Sequence, residues 1–254
     1  MKTSHGSRSP AFESPEDAYH QFFRADSAKD AEGWAAVMSY AHVRVSARGT
    51  GLYFETPVEY AAGASWSARE ATGWVRSVGV EPVRVHESAD RVHLAGGWTR
   101  YNANDEPILR NRVTYILTRI DGSWGIQARF GTDSFREGET VDASAPIGVV
   151  REHLNRLAAG DFDVAGSSVS HPLVDVGIGH VDRYRNHAQV VEGLAAAAGR
   201  PRSVLDVHTV QAGTRGAVVA ATWEATDGDR VQAVLLVGRP EGAWRIGGRS
   251  IIAP

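Results

Sequence analysis

Residues 121–130 read DGSWGIQARF and residues 241–250 read EGAWRIGGRS. Each places an acid, a glycine and a small residue before Trp, then one residue, Ile, two residues and Arg. A chain of 254 residues that writes one ending twice calls for a test of internal repetition before anything else. Walking back from the two endings finds matching partners. VTYILT (113–118) precedes the first and AVLLVG (233–238) the second, both apolar runs closed by a turn, as in hairpin-linked strands. LAGGWTRYNANDEP (94–107) matches VVAATWEATDGDR (218–230), and VRVHES (83–88) matches LDVHTV (205–210).

The beginnings correspond as well. SPEDAYHQFFRADSAKDAEGWAAVM (14–38) opens with Ser14 as a helix N-cap and Pro15 at the first helical position, with Ala18, Phe22, Trp34 and Val37 at helical spacing. APIGVVREHLNRLAAGDFDVAGSSV (145–169) repeats the pattern with Pro146, Val149, Val150, His153, Leu154 and Leu157. Each is followed by Ser-x-x-His, at Ser39–His42 and Ser168–His171, opening a strand. PVEYAA (57–62) and HAQVVEGLAAAA (187–198) read as further helices. Residues 1–11 read as a disordered tail and the polar stretch 136–145 as a linker.

Composition narrows the function. The net charge of −3 gives no footprint for nucleic acid, and no apolar run reaches the roughly 18 residues of a membrane span. The N-terminal residues lack the apolar core of a secretory signal, and with no cysteine the default expectation is a cytoplasmic protein. Thiolate nucleophiles are excluded. The two lysines, Lys2 and Lys29, lie in the tail and in a polar helical stretch, so a desolvated Schiff-base lysine is not expected either. His86 and His93 flank a turn, but no carboxylate stands at ligand spacing, and no metal site is expected. Nor is there a phosphate loop, a dinucleotide fingerprint or a nucleophile elbow.

The halves differ in chemistry. Of 21 aromatic residues, 17 fall between Phe12 and Phe135, leaving Phe162, Tyr184, Trp223 and Trp244. This describes either a heavier core or a cavity lined for an aromatic ligand. His42 and Arg44, at i and i+2, share one face of a strand opposite Val43 and Val45. They are a base beside a fixed cation, or satisfied groups at a helix-to-strand junction. The second Ser-x-x-His favours the structural reading for His42, whereas Arg44 has no counterpart in HPLVDV (171–176). Arg129 recurs as Arg249, which favours a structural role. Alternation puts Gln127 and Arg129 on one face, opposite Trp124, Ile126 and Ala128. It also puts Arg112 and Thr114 opposite Val113 and Tyr115, and lets only one of Arg100 and Tyr101 point inward. The catalytic candidates are His42, Arg44, Tyr53, Arg112 and Arg129. Those for substrate binding are Trp34, Trp66, Trp98, Tyr101, Tyr115 and Gln127, with Tyr101 a second phenolic donor beside Tyr53.

The order of elements and the paired W-x-I endings resemble the nuclear transport factor 2-like superfamily, in its SnoaL-like branch. The resemblance implies an α+β fold of two tandem cone-shaped barrels, residues 12–135 and 146–254. Each would be a curved antiparallel sheet wrapped around helices. The two would pair through their outer faces as an internal pseudo-dimer, with further homo-oligomers open. It places an active-site pocket in the first unit and gives the second a structural part. SnoaL-like relatives include isomerases, cyclases, epoxide hydrolases, dehydratases and lyases. AHVR (41–44), RVHLAGGWTRYN (91–102) and WGIQARF (124–130) look like those of bacterial lyases that deformylate lignin-derived diarylpropanes without a cofactor. The resemblance therefore implies a cofactor-independent lyase acting on a hydrophobic, phenolic small molecule. A non-catalytic ligand carrier and a protein-interaction module are the other classes.

Overall fold

The computed structural model describes residues 11–49, 51–134 and 141–254. The N-terminal tail with Lys2, and most of the expected linker, lie outside the described residues.

In chain order the first half contains α1 (Pro15–Ala28), α2 (Ala31–Ala36), β1 (Met38–Ser46), β2 (Gly51–Phe54), α3 (Pro57–Ala62), α4 (Ser67–Glu70), β3 (Arg76–Gly79), β4 (Val83–Glu87), β5 (Arg91–Tyr101), β6 (Pro107–Ile120) and β7 (Ser123–Ser134). The second contains α5 (Ser144–Ala159), α6 (Phe162–Gly166), β8 (Val169–Gly177), β9 (His180–Tyr184), α7 (His187–Ala196), β10 (Pro201–Gly213), β11 (Gly216–Ala225), β12 (Arg230–Gly238) and β13 (Arg245–Ile252). One sheet runs β2-β1-β7-β6-β5-β3 with β4 also on β5, the other β9-β8-β13-β12-β11-β10. The two share one strand order, so the repetition seen in the sequence is a repetition of topology.

Both sheets are mixed, not wholly antiparallel. β1 lies parallel to β7, and β8 parallel to β13. Hairpins read from sequence are antiparallel by construction, whereas the pairing of a first strand with a last one is non-local and leaves no local signature.

Ser14 caps α1, its Oγ accepting from the Asp17 amide at 3.1 Å. The helix buries Ala18, Tyr19, Phe22, Phe23, Ala25 and Asp26 and stops at Lys29, whose φ is 56°. Trp34 therefore stands on a separate short helix. Tyr19 donates to the Val80 carbonyl at 2.6 Å, and its hydroxyl lies 3.0 Å from that of Gly97. Gly97, at φ 153°, sits where a Cβ would lie 2.3 Å from the Asn111 carbonyl. α5 begins at Ser144, so Pro146 falls within its first turn and not at its first position.

The sheets have distinct faces. Met38, Val113, Tyr115, Leu117, Trp124 and Ile126 face inward, onto Tyr19, Phe22, Phe23 and Trp34. Val43, Val45, Ile116, Ala128 and Phe130 face outward, onto Val174, Val176, Val218, Val234 and Leu236 of the second sheet. A separate core, with Leu154, Leu173, Trp223 and Ile246, fills the second cone. His86 and His93 meet along this seam, their Nδ1 atoms 3.3 Å apart, and His93 Nε2 reaches Ser250 Oγ at 3.0 Å. Among the described residues, no cluster of three or more His, Cys, Asp and Glu is arranged to hold a metal. No described helix is long and apolar enough to cross a membrane.

Candidate functional site

β1 runs along β7 with Arg44 beside Arg129, and β7 runs along β6 with Arg129 beside Tyr115. Neighbours in register share a face, so these three side chains form a row across the inside of the first cone. Arg129 donates from Nη2 to the Tyr60 hydroxyl at 3.0 Å and lies over the Phe22 ring at 4.9 Å. Among the described residues, no carboxylate lies within ion-pair distance of Arg44 or Arg129. The charge of Arg129, and then burial, push the Arg44 guanidinium down to about 10, leaving it charged near neutrality.

His42 lies on the same face, fully buried against Tyr60 at 5.3 Å and Phe54 at 6.2 Å between ring centroids. Its Nδ1 is 2.8 Å from the Ile126 carbonyl, which can only accept, so Nδ1 carries the hydrogen and Nε2 the lone pair. Burial, and then the Arg129 charge, hold the imidazole well below its ordinary range. It is a neutral ring with an unoccupied acceptor nitrogen.

Deeper in the cone Asp26 pairs with Arg69 and accepts from the Trp66 indole at 3.2 Å. Trp34 stacks near Trp66 at 5.7 Å and Tyr60 at 5.2 Å. Arg100 lies over the Trp98 ring at 4.4 Å, pushed down to about 10 by burial and then by Arg69. Burial raises the phenols of Tyr60 and Tyr115, the latter strongly. Trp34 Nε1, His42 Nε2, Arg100 Nε, Asn111 Oδ1, Tyr115 Oη and Arg129 Nε are all buried without a protein partner. Native interiors rarely leave such groups unpaired, and their concentration here marks an interior shaped for something polar.

A cavity of about 200 Å³ opens beside the row, lined by Arg44, Leu52, Trp98, Asn111, Val113 and Arg129. The corresponding space in the second cone, around His153, Trp223 and Arg249, is about 30 Å³. A larger groove of about 960 Å³ lies between the halves, near Val83, Arg84, Arg112, His208 and Gln211. Arg84 there is already tied to Glu16 and Glu87, and the groove lacks the adjacent unpaired arginines of the cone, although Asn111 and Thr209 line it.

Several expected members of the site lie elsewhere. Gln127 faces the second half, donating to the His180 carbonyl at 3.1 Å and accepting from the Gly179 amide at 3.3 Å. The cause is a bulge: Ile116 pairs with Ala128 but Leu117 with Ile126, which reverses the alternation at Gln127. Ile126 and Arg129 thus face inward together. Arg112 also points outward, donating to the Ala212 carbonyl at 2.7 Å. Tyr53 follows Val43 on the outer face, with Arg183 over its ring at 4.3 Å, and Phe54 takes the inward position. Tyr101 lies outside under Arg76 at 4.3 Å, while Arg100 is the inward one of that pair. His42, Arg44, Arg129, Trp34, Trp66, Trp98 and Tyr115 are brought together, joined by Tyr60, Asp26, Arg69, Arg100 and Asn111. The inward position of Arg100 was available from its i, i+2 spacing to Trp98. Tyr60 was hidden in a helix of unremarkable polarity.

The two Ser-x-x-His elements are not equivalent. In register, Arg44 beside Arg129 corresponds to Asp175 beside Arg249. His42 therefore matches Leu173, and His171 matches Tyr40.

No family model matches the chain, and no curated protein matches it. Solved structures similar to it include a cystatin-like fold of unknown function from Nostoc punctiforme, 15% identical, covering 55% of this chain and 93% of that one at a TM-score of 0.40. Another is an NTF-2-like protein of unknown function from Silicibacter pomeroyi, 17% identical, covering 44% and 94% at 0.34. A type 2 hexachlorocyclohexane dehydrochlorinase is 14% identical, covering 51% and 91% at 0.35.

Proposed function

We propose that the first cone is the site of a cofactor-independent enzyme that performs acid–base chemistry on an aromatic small molecule. The observation that carries this reading is the Arg44–Arg129 pair. Two partly buried guanidiniums stand side by side where the same register in the second half holds Asp175 against Arg249. Nothing in packing alone favours two uncompensated cations, because burying like charges is costly. A site that must hold negative charge does favour them.

His42 supplies the complementary group. Its neutral ring accepts a proton at Nε2 without first losing one. Tyr60 and Tyr115 stand near the cations as hydrogen-bond donors; Trp98 lines the cavity, and Trp34 and Trp66 stack deeper in the cone. Within this class the reading is a lyase, removing formaldehyde or water from a phenolic substrate. Isomerase, cyclase and epoxide hydrolase chemistry would use the same base and cations. The cavity suits a single ring, since about 150 Å³ already holds benzene. The second ring of a diarylpropane would lie in the open mouth.

A ligand carrier without turnover is the second reading, favoured by one observation: His42 is not among the residues lining the cavity. The proposal also takes the chain as two nuclear transport factor 2-like units, 12–135 and 146–254, paired about a pseudo-twofold axis, with catalysis confined to the first. The shared strand order supports it. Superposing β11–β13 on β5–β7 in an experimental structure tests that arrangement.

The test of function is turnover of phenolic substrates by Arg44→Ala and His42→Ala, with melting curves alongside. Arg44→Ala is expected to abolish turnover in a folded protein. Near-wild-type rates in both variants would move the chemistry elsewhere, and ligand binding without turnover in the wild type would favour the carrier.

A further inference from the structure

Arg249 shows how this fold satisfies an inward arginine at the end of its last strand. Its Nε and Nη2 both donate to Asp175 Oδ2, at 2.9 and 2.5 Å. Asp175 is the in-register neighbour of Arg249 across the parallel pair. In the first half Arg129 keeps the arginine's place, but its in-register neighbour is Arg44. The carboxylate has been replaced by a second cation, and Arg129 Nε is buried with no partner.

We infer that the ligand of the first cone brings its own carboxylate, which takes between Arg44 and Arg129 the place that the Asp175 carboxylate has beside Arg249. The inference rests on the reading of the first cone as a small-molecule site, and names the class of molecule. A planar guanidinium fork fits a carboxylate by two parallel hydrogen bonds, and two such forks neutralise it more than once over. A charge that appears only in a transition state would leave both cations uncompensated in the resting complex. A carboxylate carried by the substrate itself compensates them on binding.

The rest of the cavity describes the remainder of the molecule. Leu52, Trp98 and Val113 are its apolar lining, and the volume of about 200 Å³ holds one ring with its substituents. Asn111 Oδ1 is buried, lacks a partner and faces this space, where it suits a hydroxyl donor. At the matching register position, opposite Trp223, the second half has Val231. The ligand is thus a hydroxylated aryl carboxylate with its acid on the arginines and its hydroxyl toward Asn111.

Tryptophan fluorescence of the full-length protein, titrated with 4-hydroxybenzoate, 3-hydroxybenzoate and their amides, tests this, because Trp98 lines the cavity. At least one acid is expected to quench, and to bind at least tenfold more tightly than its amide. Arg44→Asp rebuilds the Asp175 arrangement on the chain, and should weaken acid binding by about 100-fold while leaving amide binding in place. Where Arg44→Asp fails to fold, Arg44→Gln removes the charge at similar volume. Equal binding of acid and amide, or unchanged acid binding in the folded variants, overturns the carboxylate while the aromatic site stands. Binding of neither acid nor amide to the wild type overturns both.

Discussion

Across the first sheet, in register, stand Arg44, Arg129, Tyr115 and Leu94; across the second stand Asp175, Arg249, Leu235 and Val219. The backbone frame is the same and the contents are opposite. In the second row charge is neutralised within the chain, the phenol is replaced by Leu235, and Leu173 takes the place of His42. Its interior space is about 30 Å³ against about 200 Å³. The difference teaches that one strand position decides where the inward arginine finds its counter-charge. An Asp supplies it within the chain, and an Arg leaves it to a partner from outside.

The sharpest way to break the comparison is to make the first row resemble the second at its base. His42→Leu copies Leu173, and turnover should fall by about 100- to 10,000-fold, the usual cost of losing a positioned proton carrier. A melting point that stays level or rises in that variant separates this loss from misfolding. The converse change is Asp175→Ala, which strands Arg249. About 3 kcal/mol of stability should be lost, at the low end for a broken buried pair because Asp175 keeps 20% of its side chain exposed. Denaturant unfolding reads it, and ligand binding in the first cone should survive in the folded fraction.

Acid distinguishes structural from catalytic histidines. His153 is buried in the second cone, and burial, then Arg249, push it down to about 4. The unfolded chain, with an ordinary histidine near 6.5, takes up the proton first. The His153 contribution is therefore complete above about pH 6.5 and is lost as pH falls toward 4, by about 3 kcal/mol. His42 is shifted in the same direction. Turnover of the protein that remains folded should accordingly show no inflection near pH 6.5. An inflection there would mean that a solvent-exposed histidine carries the proton.

Smaller effects test the asymmetry of the walls. Trp98→Ala should weaken an aromatic ligand by about tenfold, as loss of an aromatic contact does, whereas Trp223→Ala, if folded, should leave binding unchanged. An equal loss in both would erase the distinction between the cones. Tyr101→Phe should alter binding and stability least, by under about 0.5 kcal/mol, because the ring lies outside the cone.

The frame was legible because it is written twice: the order of elements, the capped first helix and the paired Trp endings follow from matched segments, whereas the parallel pairing of first strand with last does not. His42, Arg44 and Trp98 were legible because alternation is unbroken over residues 42–45 of β1 and 92–100 of β5. Gln127 was misplaced because a bulge adds one residue without altering the composition of the strand, and every face beyond it is reversed. Arg69 and Asp26 could not be read at all. Isolated charges on helices look solvated until the sheet closes over them, and only tertiary packing buries them. The Ser-x-x-His pair misled in another way, since its two copies lie out of register although their letters agree.

β1 has two duties on its two faces. It shows His42 and Arg44 to the cone, and Val43 and Val45 to Val174 and Val176 across the seam. Where a ligand on Arg44 steadies the seam, reciprocity requires that loosening the seam weaken the grip by the same factor. Amide exchange in β8 is therefore expected to slow when ligand fills the first cone, although no ligand atom touches that strand. A small cavity made at Val176 should in turn lower affinity without altering a single lining residue. The second half, closed and without room of its own, would then act as a thermodynamic governor of the first.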